Sequence, residues 1–357
     1  MRTYNKLAID YIEAYAKNRV VAAQASIGHV AEMSNITLAE IIGLKASIRE
    51  KARIALHFHP YRLVEDSLTV VESMLQTGKY SNQFETKVSN GSLTAFKGGK
   101  RDVWENLLFG GIYDKHDIPN FLRPIYGSLS LVGHSNGPSP RFGSCYFLTK
   151  PALSKYATFT YLDSYTKPKE KGTRDCFEEI LACLLSECFE RDAAIGEVGV
   201  RPDDLVRKID RHLNKEGMFA ANSPMSRNLD HYIEAQIHTE IVLSQDVDYL
   251  VADAAYRGTA YEAVFKKLCT SNSIELLWNE GRALAVEAIP KNFRGPGMPA
   301  IGREIAVDHK IDASILGLAE KRYREEIRDE AARIDKNQQL KYLWHILVKY
   351  GQPIVLA

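Results

Sequence analysis

Ile54-Ala-Leu-His-Phe-His-Pro-Tyr-Arg62 is a short apolar run that ends in two histidines, a proline and an arginine. A run of that length closed by a proline predicts a buried strand that delivers His57, His59 and Arg62 to the mouth of a fold. Val64, Leu68, Val71 and Leu75 then keep a helical spacing, which Thr77-Gly78-Lys79-Tyr80 ends. Two distant segments could complete a site with it: Phe142-Gly-Ser-Cys-Tyr-Phe147 and Tyr232-Ile-Glu-Ala-Gln-Ile-His238.

Working outward, residues 1–50 read as helices, with Thr37 and Glu40 spaced as a capping box before Ile41, Leu44 and Ile48. Short apolar runs at Ile54–Phe58, Gly127–Val132, Ser144–Leu148 and Ala157–Leu162 read as strands, as do Asn228–Val242 and Val247–Val251. These define a core over residues 51–165 and 228–257. A helical insertion is expected over 166–227 and a helical region over 258–357. A Gly-rich stretch, Ser89–Tyr113, is long enough for a binding loop or lid and carries Phe96, Trp104, Leu107, Leu108 and Phe109. That loop and the insertion, with its Met218–Met225 connection, are the two candidate surfaces for docking a protein.

The charge balance excludes some classes of partner. The chain has 357 residues, with 46 Lys+Arg against 45 Asp+Glu. No global field draws it to nucleic acid or an anionic membrane. No run of about 18 apolar residues suits a membrane span, and the polar, amphipathic start does not read as a secretory signal peptide. The five cysteines form no CxxC pair and fit reduced thiols in a cytosolic setting better than a disulfide framework. Oligomeric state is not legible.

Three kinds of chemistry fit the polar residues. His57-x-His59 could supply two metal ligands from one strand face, with His231, Glu234, His238, Glu240 and Asp253 as further candidates, which would make a metal-dependent hydrolase. Alternatively, His59 could contact NAD. Cleaving a nicotinamide–ribose bond passes through an oxocarbenium-like state, which calls for a carboxylate near the ribose hydroxyls. Glu234 suits that role because Tyr232, Glu234, Gln236 and His238 alternate with Ile233, Ala235 and Ile237, giving one polar and one apolar face. Gly143 and Ser144 would let a ligand approach the backbone, and Tyr146 would offer a ring. The third possibility is a module that binds NAD without turning it over. There is no dinucleotide fingerprint and no P-loop lysine.

The order of these segments resembles the PARP-type ADP-ribosyltransferase plan, a His strand, then Gly-x-x-Tyr-Phe, then a Glu strand. Longer stretches carry a closer likeness. They are Tyr80-Ser-Asn-Gln-Phe-Glu-Thr, Leu108-Phe-Gly-Gly-Ile-Tyr, Arg123-Pro-Ile-Tyr-Gly-Ser-Leu, Arg141-Phe-Gly-Ser-Cys-Tyr-Phe and Leu340-Lys-Tyr-Leu-Trp-His-Ile-Leu-Val-Lys-Tyr-Gly. Together with Glu234-Ala-Gln-Ile-His they resemble the CteC-like family of bacterial ADP-ribosyltransferases over about residues 50–350. The resemblance implies an α+β fold with a split, mostly antiparallel two-sheet core. It also implies transfer of ADP-ribose from NAD to a protein hydroxyl, with a threonine of ubiquitin as acceptor, in a bacterial protein delivered to a host cytosol. It assigns catalysis to Glu234 and an aspartate, placed at Asp163. NAD contacts would fall to His59, Gly143, Ser144, Tyr146 and Gln236. Pro60 stands where glycine follows the histidine in the PARP pattern, which brings in Arg62 as an alternative NAD ligand.

Overall fold

The structure is a computed structural model that describes residues 3–65, 68–87, 95–214 and 223–354. It opens with three helices, α1 (Thr3–Lys17), α2 (Val20–Met33) and α3 (Leu38–Lys51). The Thr37–Glu40 capping box forms as expected. Strand β1 (Arg53–Phe58) follows and sits inside an eight-stranded sheet. The other strands are β2 (Ile125–Ser130), β3 (Cys145–Thr149), β4 (Ala157–Tyr161) and β5 (Lys171–Thr173). They continue with β6 (Ile233–Ile237), β7 (Val247–Asp253) and β8 (Glu275–Asn279). Across the sheet the order is β8-β7-β3-β1-β2-β6-β4-β5, with β7 and β8 parallel and the remaining pairs antiparallel.

The α+β class is therefore observed, but the core is one large mixed sheet, accompanied by small two- and three-stranded sheets, where a two-sheet core was expected. Pairing of β1 with β2 through Arg53↔Ser130, Ile54↔Leu129 and Ala55↔Ser128 joins the halves. Beyond Ala55 the strands part. β1 goes on with β3 (His57↔Tyr146, Phe58↔Cys145), while β2 goes on with β6 (Gln236↔Tyr126, Ile237↔Ile125). The sheet forks, and register decides where.

Alternation then sorts the side chains by face. Ile54, Leu56 and Phe58 of β1, with Ile233, Ala235 and Ile237 of β6, enter the main core. On the opposite face Ala55 packs with Tyr146, Leu148 and Val251. Glu234 pairs with Ser128 on one side and Thr160 on the other, which places it on that second face.

Between β1 and β2 lie α4 (Val70–Thr77) and α5 (Lys100–Leu108). The helical spacing expected from Val64 begins only at Val70, because Leu63–Glu65 and Leu68–Thr69 pair as a small hairpin and Thr69 caps the helix with Glu72. The segment between β4 and β6 contains α6 (Glu178–Arg191) and α7 (Pro202–Asn214). Leu181, Leu184, Leu185, Leu205 and Ile209 are all fully buried there, in the same core as Ile48 of α3 and Leu347 near the end of the chain. The inserted segment thus carries two helices, but it also supplies β5 to the sheet and belongs to the main core. Four further helices follow, α8 (Ala260–Asn272), α9 (Met298–Ile305), α10 (Ala313–Glu326) and α11 (Glu330–Tyr350). The five cysteines are free thiols, and four of them are buried. No described helix is long and apolar enough to cross a membrane.

Candidate active site

A cavity of about 240 Å³ opens where β1 and β2 part. Glu234, Asp163, Arg101, Tyr126, Arg141 and Lys341 are among its walls. A smaller cavity of about 90 Å³ lies beside it, walled by His59, Arg62, Val70 and Met74 among others. His57, Tyr80, Gln83 and Phe142 line both, so the two are chambers of one cleft.

Glu234 forms part of the larger chamber's wall and is only 6% exposed. Burial pushes its carboxyl well above the ordinary range, and the Asp163 charge pushes it the same way. Hydrogen bonds from Ser164 and Gln236 and the Arg101 guanidinium oppose that rise. Asp163 is itself held by the turn after β4, where its Oδ1 accepts from the Tyr165 amide at 2.9 Å. Arg101 is fixed by its aromatic neighbours, with its guanidinium 4.6 Å from the ring centres of both Trp104 and Tyr126.

A run of hydrogen bonds leads away from Glu234 along the strands. Gln236 Nε2 donates to Glu234 Oε1 at 2.9 Å, and Thr158 Oγ1 donates to Gln236 Oε1 at 2.8 Å. Since the Thr158 proton is committed there, its oxygen accepts from His238 Nε2 at 2.9 Å. His238 Nδ1 is then the acceptor for the Tyr113 hydroxyl at 2.9 Å. Burial lowers the His238 pKa to about 3, so the ring stays neutral and its tautomer is set by this chain. The direction of the bonds also fixes which end of the Gln236 amide faces the carboxylate.

The residues expected to bind a ligand fall into two groups. Glu234, Asp163, His59 and Arg62 line the cleft. Gly143, Ser144, Tyr146 and Gln236 are not among the lining residues. A Cβ on Gly143 would stand 2.3 Å from the Phe58 carbonyl, so the glycine permits an approach of the chain to β1 and not of a ligand. Ser144 Oγ lies 3.1 Å from the Tyr256 hydroxyl and 3.5 Å from His59 Nδ1. Tyr146 is 1% exposed, gives its hydroxyl to Ser135 O at 2.9 Å and stacks on His57 at 4.8 Å. These are supports behind the wall. His57 is equally tied down. Its Nδ1 meets Gly143 O at 3.3 Å and its Nε2 accepts from the Ser139 amide at 3.4 Å, which uses both nitrogens that a metal would need. Among the described residues no group of three or more His, Cys, Asp or Glu is placed to hold a metal ion.

Sequence reasoning missed Arg101, which lay in a stretch read as a loop, Tyr126, which lay just before an expected strand, and Lys341, which lay in a region read as helix. The docking loop also divides. Leu108 and Phe109 are buried against Ala8 and Ile12 of α1, whereas Phe96 and Leu107 are 56% and 58% exposed. Residues 88–94 of that loop and 215–222 of the insertion lie outside the described residues.

Fold and site together define an α+β protein with a forked sheet and a deep cleft in which carboxylates face cationic side chains. The chain belongs to the family described as "Protein of unknown function (DUF3626)", whose model matches residues 53–350. None of the curated proteins matches it.

Proposed function

We propose that this chain is a mono-ADP-ribosyltransferase that moves ADP-ribose from NAD to a protein hydroxyl, with a threonine of ubiquitin as the acceptor the sequence resemblance implies. The observation that carries the reading is the buried Glu234 carboxylate in the chamber at the fork, continuous with the chamber that holds His59 and Arg62. Ionised Glu234 would hydrogen-bond the nicotinamide ribose and stabilise the cation that develops as the nicotinamide bond breaks. Nicotinamide leaves with the bonding electrons, the acceptor oxygen bonds to the ribose carbon, and the hydroxyl proton passes to a base. Asp163, on the same chamber wall, is the candidate base.

The test is incubation with labelled NAD and ubiquitin. Label on ubiquitin that falls by at least about a hundredfold in Glu234→Gln, with NAD binding retained, supports the reading. Absence of label on any protein acceptor, or an unaffected Glu234→Gln, removes it. NAD binding without turnover would indicate a binding module instead.

A further inference from the structure

Cations gather at the junction of the two chambers. Arg62 lines the smaller one, Arg141 and Lys341 line the larger, and Phe142, next to Arg141, lines both. They come from three separate elements: the turn after β1, the 3-10 turn before β3, and α11. Trp344 fastens two of these together, since its indole Nε1 donates to Pro140 O at 2.8 Å. Lys341, Trp344 and His345 share one face of α11, three and four residues apart.

The negative partners of Arg62 and Arg141 are poorly placed. Arg62 faces Glu320 at 3.4 Å, yet neither its Nε nor the Glu320 Oε2 makes a hydrogen bond among the described residues. Arg141 pairs with Asp230, whose side chain is 61% exposed and therefore screened by solvent. His345 is 1% exposed, and neither ring nitrogen has a hydrogen-bond partner among the described residues. Burial, then Arg294, Arg141 and Lys341, drive its pKa down to about 2. Burial, then Arg141, Arg62 and Arg294, bring Lys341 down to about 8, with Asp163 opposing them. A buried imidazole whose nitrogens make no hydrogen bond among the described residues, beside Arg294, Arg141 and Lys341, marks a place of positive potential.

We propose that Arg62, Arg141 and Lys341 bind the diphosphate of a dinucleotide that passes from one chamber to the other. This rests on the NAD reading above and adds an orientation to it. The nicotinamide ribose lies in the larger chamber with Glu234, and the adenosine extends toward the smaller one, on the side of His59. A dinucleotide carries its charge at its middle, and the cleft carries its cations at its middle.

Calorimetry on the full chain tests this with ADP-ribose, ADP, inorganic pyrophosphate and adenosine as probes, against Lys341→Gln and Arg141→Gln. The expected result is a loss of about 10- to 100-fold in affinity for ADP-ribose and ADP in each variant, with adenosine unchanged and Lys341→Arg close to wild type. The site is overturned if wild type binds no diphosphate probe. It is also overturned if the variants bind ADP as wild type does, or if a variant with an unchanged melting temperature loses adenosine equally. The two readings separate cleanly. Charge-dependent ADP binding without ADP-ribosyl transfer keeps the diphosphate site and removes the enzyme. Transfer with an unchanged KM for NAD in Lys341→Gln keeps the enzyme and removes the site.

Discussion

A carboxylate buried as deeply as Glu234 costs stability whenever it is ionised, and the protein retains it. Its folded pKa lies above the ordinary value of 4.5, so between those values the folded state binds a proton that the unfolded state has released. Stability contributed by protonated Glu234 is complete below about pH 4.5 and is lost as pH rises through the raised value. Glu234→Gln should therefore melt higher than wild type at pH 8, by roughly 5 °C, and nearly level with it at pH 4. A lower melting temperature at pH 8 would show that the carboxylate is stabilising and that the environment described here is wrong. If ionised Glu234 serves catalysis, the acid limb of the activity profile should also sit well above pH 4.5. The alternation of residues 232–238 made this residue legible, because a half-buried strand must separate polar from apolar positions. Arg101 and Lys341 were not legible, since nothing local distinguishes a helical cation that faces a cleft from one that faces water.

At the level of elements, β4 and β6 do more than pair. The bonds from Tyr113 through His238, Thr158 and Gln236 to Glu234 run across both strands. Thr158→Val conserves shape and pairing but removes the hydroxyl in the middle. It should cost about 1–2 kcal/mol of stability. It should also free the Gln236 amide to turn, lowering kcat about tenfold with little change in KM for NAD. Because the Gln236 hydrogen bond favours ionised Glu234, the acid limb should move to higher pH. An unmoved pH profile would mean that the chain of bonds is structural only. Gly127 sits on β2, where a Cβ would stand 2.7 Å from the Ala55 carbonyl of β1. Gly127→Ala should push the strands apart at their last paired position and lower the melting temperature measurably. β1 was readable because strands buried on both faces are continuously apolar. The fork was not, since it depends on which residues pair and not on which residues form strands. β5 and β8 were missed for a related reason. Three residues cannot establish an alternation, and Glu275-Leu-Leu-Trp-Asn suits a helix as well as a strand.

Across the whole molecule, segments that looked separable share one core. Removing residues 190–226 takes away α7, with Leu205 and Ile209 fully buried. The shortened chain should lose its cooperative thermal transition altogether, not merely its acceptor, and circular dichroism through a melt will show which. A sharp transition in the deletion would restore that segment as a dispensable docking element. The cleft itself is assembled from residues spread over nearly the full length, from His57 to Lys341, and Trp344 clamps the last helix onto Pro140 across 204 positions of sequence. During synthesis this has a temporal meaning. A ribosome-bound chain that lacks α11 has no Lys341 to complete the larger chamber and no indole to seat Arg141. No partly made chain without α11 can own a finished cleft, so whatever this cleft does begins only once α11 has been made.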